Sequence, residues 1–309
     1  MSHVINTLLP VFGLILAGFV GRRVGFLGQS AASELNRFVV WLSLPALLFK
    51  VTATTTLEQI WHPDFILTVT LATLSVFALV VIWKRCSGRP LADASIDGLG
   101  GAYANTGYVG IPLCLFVLGD AGLEPALIAT LIVVCVLFSV AIVCIEVALQ
   151  AGQGFLQAIQ KVLLALLKNP LVVSPILGII WAGSGIALPD NADNFLTLLG
   201  DATVPCALVS LGAFLAHKQS GSAKGSLGLV GVKLIVHPLI TWMLAYYVFH
   251  LPPLWANAAL LLSALPTGTG PYMLAEYYAR EASVVSRTIL ISTIGSIGTL
   301  SVCLIWLME

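Results

Sequence analysis

The sequence predicts an all-α integral membrane protein of ten transmembrane helices, built as two five-helix repeats of opposite orientation. Three observations predict it: a composition too apolar for a water-facing surface, ten apolar runs separated by loops of alternating charge, and prolines and glycines that recur at one fixed interval. Of the 309 residues, 59% are hydrophobic and 9% charged, whereas soluble domains carry roughly a quarter charged residues. Fourteen basic and fourteen acidic side chains could not cover a fold of this size in water, so lipid must be the solvent for most of the surface. The zero net charge and the lack of a basic patch give no sign of a nucleic-acid partner.

A bilayer core takes about 20 apolar residues per helix. The segments that meet this are 4–20, 32–52, 64–83, 96–118, 125–149, 169–186, 194–215, 227–249, 255–275 and 285–307. Between the fifth and sixth, Phe155, Ile159, Val162, Leu163 and Leu166 fall at helical spacing among polar residues. That stretch reads as an interfacial helix. The chain therefore divides into a first repeat, 1–149, a cytoplasmic linker, 150–168, and a second repeat, 169–309.

Basic residues set the orientation. Arg22 and Arg23 follow span one; Lys84, Arg85 and Arg89 follow span three; Lys161 and Lys168 follow span five; Lys218 and Lys224 follow span seven; Arg280 and Arg287 follow span nine. The other loops hold Glu58, Asp64, Asp120, Glu124, Asp190 and Asp193, with no Lys or Arg. By the positive-inside rule the basic loops are cytoplasmic, and both termini lie outside the cell membrane. No Lys or Arg precedes the first apolar run, so that run is expected to stay in the mature protein as a span. Cys86, Cys114, Cys135, Cys144, Cys206 and Cys303 are scattered without metal-ligand spacing, so neither a metal nor another cofactor is expected.

Pro10 and Pro170, Pro45 and Pro205, Gly18 and Gly178, and Gly25 and Gly185 are each 160 positions apart, and Pro112 and Pro271 are 159 apart. An odd number of spans per unit forces the second unit to enter the membrane from the opposite side. This is the inverted-repeat plan of secondary transporters.

Spans four, "GGAYANTGYVGIPLCLF", and nine, "LLLSALPTGTGPYMLAEYY", are apolar at both ends and interrupted midway by Gly, Pro, Asn and Thr. Proline removes a helix hydrogen bond and glycine accepts the extended backbone that follows. Such breaks persist in a membrane only where protein or a watery cavity surrounds them. Each exposes a half-helix N-terminus suited to an anion, and Asn105, Thr106, Thr267 and Thr269 add donors and acceptors. The plainer reading is that these side chains replace backbone bonds lost at the breaks.

Three segments carry a family resemblance: "LNRFVVWLSLPALLF", "ANTGYVGIPLCLF" and "LPTGTGPYMLAEYYA". With them the sequence resembles the auxin efflux carrier family, which includes plant PIN-type carriers and bacterial relatives. The resemblance implies a fold like that of bile-acid symporters and sodium/proton antiporters. In that fold spans 1, 2, 6 and 7 form a scaffold, and spans 3–5 and 8–10 form a transport domain that moves by an elevator mechanism. It also implies crossover prolines at Pro112 and Pro271 with Asn105 beside the substrate. Together with the spacing argument, the expected substrate-binding set is Asn105, Thr106, Gly107, Tyr108, Gly110 and Pro112 from span four, and Pro266, Thr267, Gly268, Thr269, Gly270 and Pro271 from span nine. Ser43 and Pro45, with Thr203 and Pro205, would contribute from the scaffold. Implied substrates are small organic anions, malonate-like or auxin-like carboxylates, and the implied assembly is a homodimer through the scaffold. The plant carriers have a long central loop, and the short 150–168 connection is typical of bacterial members.

Asp201, His237 and Lys233 are the candidates for proton coupling, since ionisable groups at membrane depth are functional candidates. The structural readings stand beside that one: Asp201 bonding loosened backbone near Pro205, His237 satisfied by the kink at Pro238, and Lys233 reaching the cytoplasmic interface or pairing with a substrate carboxylate. A cation/proton antiporter on this fold would need a titratable carboxylate at the crossing, where spans four and nine offer Asn, Thr and Tyr. An intramembrane aspartyl protease would need two facing aspartates with GxGD, and a serine protease GxSG; "AGSG" at 182–185 only approximates the latter. The expectation is a carrier, not an enzyme.

Overall fold

The computed structural model describes residues 2–54, 61–149, 160, 163, 164, 167, 168, 170–216 and 223–308. Most of the expected interfacial helix at 150–168 lies outside the described residues. Among the described residues the helices are, in order, α1 (Ser2–Val24), α2 (Ala31–Thr54), α3 (Pro63–Cys86), α4 (Leu91–Ala102), α5 (Thr106–Leu118), α6 (Asp120–Leu149), α7 (Pro170–Gly183), α8 (Asp190–Leu215), α9 (223–248), α10 (Pro253–Ser263), α11 (Gly270–Tyr277) and α12 (Ser283–Met308). Among the described residues, α2, α3, α6, α8, α9 and α12 contain helix long and apolar enough to cross a membrane; Thr106–Leu118, Val173–Gly183 and Pro253–Ser263 are shorter apolar helices. π-helical turns lie within α2, α5, α6 and α9.

The helices divide into two compact units. One comprises Asn6–His62 and Leu163–Lys218 and holds α1, α2, α7 and α8. Its close packing rests on glycines. A Cβ on Gly18 would collide with the Val209 carbonyl, and one on Gly212 with the Ile15 carbonyl, so α1 and α8 touch backbone to backbone. A Cβ on Gly178 would likewise collide with Thr52 and stand 2.6 Å from the Phe49 carbonyl, which puts α7 against α2. Without a hydrophobic drive between helices in lipid, such small-residue contacts are what hold a bundle together. Gly25 and Gly185, after α1 and α7, have φ of +90° and +69°, a left-handed conformation that glycine adopts at little cost. Lys50 of α2 pairs with Asp193 of α8 at 3.1 Å.

The other unit comprises Met1–Ile5, Pro63–Val162 and Gln219–Glu309 and contains α3–α6 and α9–α12. Gly98 and Gly101 let α4 lie against Phe77 and Val80 of α3, where an added Cβ would stand 2.9 and 2.8 Å from those side chains. Phe65 of α3 meets Trp255 of α10 edge-on at 4.9 Å.

Helix α4 starts at Leu91, five residues before the boundary expected from hydropathy, and so takes Asp93 into the helix as well as Asp97. Asp97 is buried and ion-pairs with Lys84 at 3.3 Å and Arg89 at 3.4 Å, Arg280 holds Asp93 through two bonds of 2.7 Å, and Arg89 reaches Glu281 at 2.8 Å. A buried carboxylate needs such partners to offset its lost hydration. The network fastens the end of α3, the start of α4 and the α11–α12 connection to one another.

Candidate functional site

The two interrupted spans meet at their breaks. Span four is α4 followed by α5, with Tyr103, Ala104 and Asn105 between them; span nine is α10 followed by α11, with 264–269 between them. Ala104 and Thr267 form an antiparallel bridge. The Asn105 amide donates to the Pro266 carbonyl at 2.9 Å, and the Gly268 amide donates to the Tyr103 carbonyl at 3.0 Å. Unpaired backbone in hydrocarbon is costly, and these two bonds let each break satisfy the other.

Thr267 ties the crossing to its surroundings. It is fully buried; its hydroxyl donates to the Gly100 carbonyl at 2.8 Å, and its amide donates to Ser292 Oγ of α12 at 3.1 Å. Gly100 lies in the last turn of α4, where carbonyls lack an intrahelical partner. The Thr267 side chain is thus committed to structure.

Asn105 differs. It is 4% exposed, its backbone carbonyl accepts from the Val109 and Gly110 amides, and its side-chain Nδ2 has no hydrogen-bond partner among the described residues. A buried donor left unpaired costs about 1–3 kcal/mol, which is offset when a ligand accepts from it. Asn105 caps α5, and Gly270 opens α11 just beyond the crossing. Two helix N-termini with their positive partial charge therefore begin within a few residues of this donor.

Tyr103 fixes how closely the breaks approach. Its ring lies against Gly268 and Gly270, where a Cβ would stand 2.9 and 2.7 Å from ring atoms, and it meets Phe138 edge-on at 6.0 Å. Gly110 lies under Leu262 and Leu265, both 2.8 Å from where its Cβ would be. Thr106, Tyr108, Pro266 and Pro271 are buried, while Gly107 and Thr269 are partly exposed. Pro112 lies inside the helical stretch Ile111–Leu118 and Pro271 in the first turn of α11; the proline at the bridge itself is Pro266.

Behind the crossing in the same unit is a cavity of about 10 Å³ bordered by Ala104, Thr106, Thr73, Thr241, His237 and Ser263, roughly the room one water needs. His237 is 2% exposed and its Nδ1 lacks a partner among the described residues. Lys233, one turn earlier on α9, is fully buried and its ammonium donates to the Ser263 carbonyl at 2.6 Å.

In the other unit, Ser43 lies in the π-helical turn of α2 and Thr203 where α8 resumes after Ala202; both are fully buried, and their hydroxyls have no partner among the described residues. Pro45 is half-buried, and Pro205 and Asp201 are exposed.

Sequence reasoning missed Tyr103, Ser263, Ser292 and the carboxylates of α4. Two glycines flanking Thr269 signal a bulky neighbour, but nothing along the chain says which. Asp97 was hidden by hydropathy, which placed it at the rim of a span.

Helices of membrane-crossing length, with two interrupted helices paired at their breaks, mark the protein as a multi-pass membrane protein of the transporter class. The family described as "Membrane transport protein" matches residues 3–304. The chain belongs to that family, which is the family of the auxin efflux carriers; it is a transporter, not an enzyme. It is similar to the Rhizobium meliloti (strain 1021) protein named "Putative malonate transporter", at 31% identity over 97% of this chain and 95% of that one. It is also similar to an uncharacterized transporter of Methanothermobacter thermautotrophicus, at 25% identity over 96% and 95% of the two chains. Auxin efflux carrier component 8 of Arabidopsis thaliana is 23% identical, over 96% and 95%.

Proposed function

We propose that the chain is a secondary transporter of small organic anions across the cytoplasmic membrane, with a malonate-like carboxylate received at the crossing of the two interrupted spans. The observation that carries this reading is the buried, unpartnered Nδ2 of Asn105 beside the N-termini of α5 and α11. A donor with no acceptor and two positive helix ends suit a carboxylate. The name of the Rhizobium meliloti relative supports malonate over an indole acid.

The proposed mechanism is elevator-type alternating access, the unit with the crossing carrying the anion and the unit of α1, α2, α7 and α8 serving as scaffold and homodimer contact. The division of the chain into two compact units at those residues supports it. An inverted repeat of ten spans is supported by equivalent contacts: Gly18 against Val209 and Gly178 against Phe49 pair residues 160 positions apart in each case. The proposed orientation, basic loops cytoplasmic and both termini outside, is supported by the ion pairs that join the loops after spans three and nine. Ser43 and Thr203 offer the scaffold's unpartnered hydroxyls.

The test is uptake of labelled malonate into proteoliposomes. Wild type is expected to accumulate it, and Asn105→Ala to lose about tenfold or more while melting normally, since a charge-assisted hydrogen bond is worth about 1.5–3 kcal/mol. Pro271→Ala is expected to slow transport too. Wild type that moves no small carboxylate, or an Asn105→Ala protein as fast as wild type, would sink the proposal.

A further inference from the structure

We propose that Lys233 is a built-in counter-cation: its ammonium occupies the place that a sodium ion takes in sodium-coupled carriers with interrupted helices. Anion binding here is consequently independent of sodium. The inference rests on the proposed anion site and deepens it.

Interrupted helices present two kinds of end. Their N-termini face the anionic group, and their C-terminal carbonyls coordinate the coupling cation. In this protein the carbonyl of Ser263, the last residue of α10, is taken by Lys233 Nζ at 2.6 Å. The negative end of α10 stabilises the ammonium there, as it would a metal ion.

The surroundings point the same way. Lys233 is fully buried, and among the described residues it forms no ion pair with a carboxylate. The titratable neighbour on its own helix is His237, and the cavity that His237 borders is lined otherwise by Ser, Thr and apolar residues of α3, α5, α6, α9, α10 and the α4–α5 connection. A lone buried ammonium is strongly disfavoured unless an opposite charge comes near. The cavity wall includes Ser263, which holds the ammonium, and Ala104 and Thr106, which flank Asn105. One small space thus links the cation's anchor to the crossing, and an anion received there would supply the missing charge.

Sodium sites of this kind use several oxygens, and the hydroxyl residues Thr73, Thr106, Thr241 and Ser263 border the same cavity. Truncating Lys233 would free the Ser263 carbonyl and leave an oxygen-lined space. The inference therefore predicts a gain as well as a loss.

Binding of labelled malonate to purified protein is measured in sodium chloride and in choline chloride at equal ionic strength. Wild type is expected to bind equally in both, within about twofold. Lys233→Ala is expected to bind about tenfold or more weakly in choline, a loss of about 1.4 kcal/mol or more, and to recover about threefold or more in sodium. Lys233→Met, which fills the space, is expected to lose affinity without recovery. Sodium-dependent binding by wild type, or wild-type affinity of either variant in choline, would overturn the inference.

A second readout contains no anion. Sodium is expected to raise the melting temperature of ligand-free Lys233→Ala by about 3 °C or more, through its binding to the folded state, and to leave wild type unmoved. If malonate binds to no form but this shift appears, the carboxylate reading fails and the cation site stands. If malonate binds and the shift is absent, the cation site fails and the anion reading stands. Should Lys233→Ala not fold, Lys233→Met and the sodium response of wild type still decide.

Discussion

Replacing Gly270 by alanine tests how the crossing is held together. The new Cβ would stand 2.7 Å from Tyr103 Cζ, 2.9 Å from Cε2 and 3.0 Å from the hydroxyl oxygen. Ordinary carbon–carbon contact begins near about 3.5 Å, so the ring must retreat by several tenths of an ångström. It has little room, because Phe138 meets it edge-on at 6.0 Å and a Cβ built on Gly268 would touch the same ring at 2.9 Å. Overpacking of this kind costs about 1–3 kcal/mol. At about 2–4 °C per kcal/mol for a unit of this size, Gly270→Ala should melt some 2–12 °C below wild type in detergent. Tyr103→Leu alone should also destabilise, by removing the ring. The double variant should lose about 1 kcal/mol or more less than the sum of the two single losses, because the clash disappears with the ring. Thermal melts of the four proteins measure this coupling. A Gly270→Ala protein as stable as wild type, or strict additivity in the double variant, would refute the account of the ring as the spacer between the two breaks.

Three further outcomes follow from the same contacts. Thr267→Val should lower stability by about 1–3 kcal/mol, since it strands the buried Gly100 carbonyl; a melting curve unchanged from wild type would show that the Thr267 hydroxyl does not tie the crossing. Gly212→Ala should be severely destabilising, because its Cβ would collide with the Ile15 carbonyl and stand 2.8 Å from the Phe19 amide nitrogen, whereas Gly13→Ala, with open space around it, should be neutral or gain up to about 1 kcal/mol; equal expression and melting of the two would contradict the backbone contact of α1 with α8. The Arg89 guanidinium, which donates to Glu281, with Ser283 also donating, holds that carboxyl below its usual range. Its folded value lies below its unfolded one, so its contribution is present above about pH 4.5 and is lost as pH falls through the lower, folded value. Melting temperature should therefore fall more in wild type than in Glu281→Gln as the buffer is taken from pH 6 to about pH 4, and equal falls would count against the ion pair.

Membrane residence, six of the ten expected apolar spans and the two interruptions were readable along the chain, because each is a local property. Hydropathy needs only a window of neighbouring residues, and Gly and Pro break a helix wherever they stand. The segment that reads "ANTG" broke at Asn105, and the one that reads "LPTGTG" broke between Ser263 and Gly270. The resemblance drawn from three short segments led to the family that the chain belongs to. Boundaries were less legible: α4 runs back to Leu91 and includes Asp93, which Arg280 pairs with from the α11–α12 connection, and hydropathy scores a charge without regard to its partner.

Tertiary structure alone decided which of the marked residues were left free. Asn105 and Thr267 look alike in sequence, each a polar residue in a glycine-rich break. The Thr267 hydroxyl donates to the Gly100 carbonyl, while the Asn105 side-chain amide nitrogen has no hydrogen-bond partner among the described residues. The chain likewise left Lys233 either reaching the cytoplasmic interface or pairing with a substrate carboxylate, and in the fold it is fully buried with its Nζ 2.6 Å from the Ser263 carbonyl. A sequence states which groups can form hydrogen bonds. Whether a given donor is already satisfied depends on what folds against it from a hundred residues away.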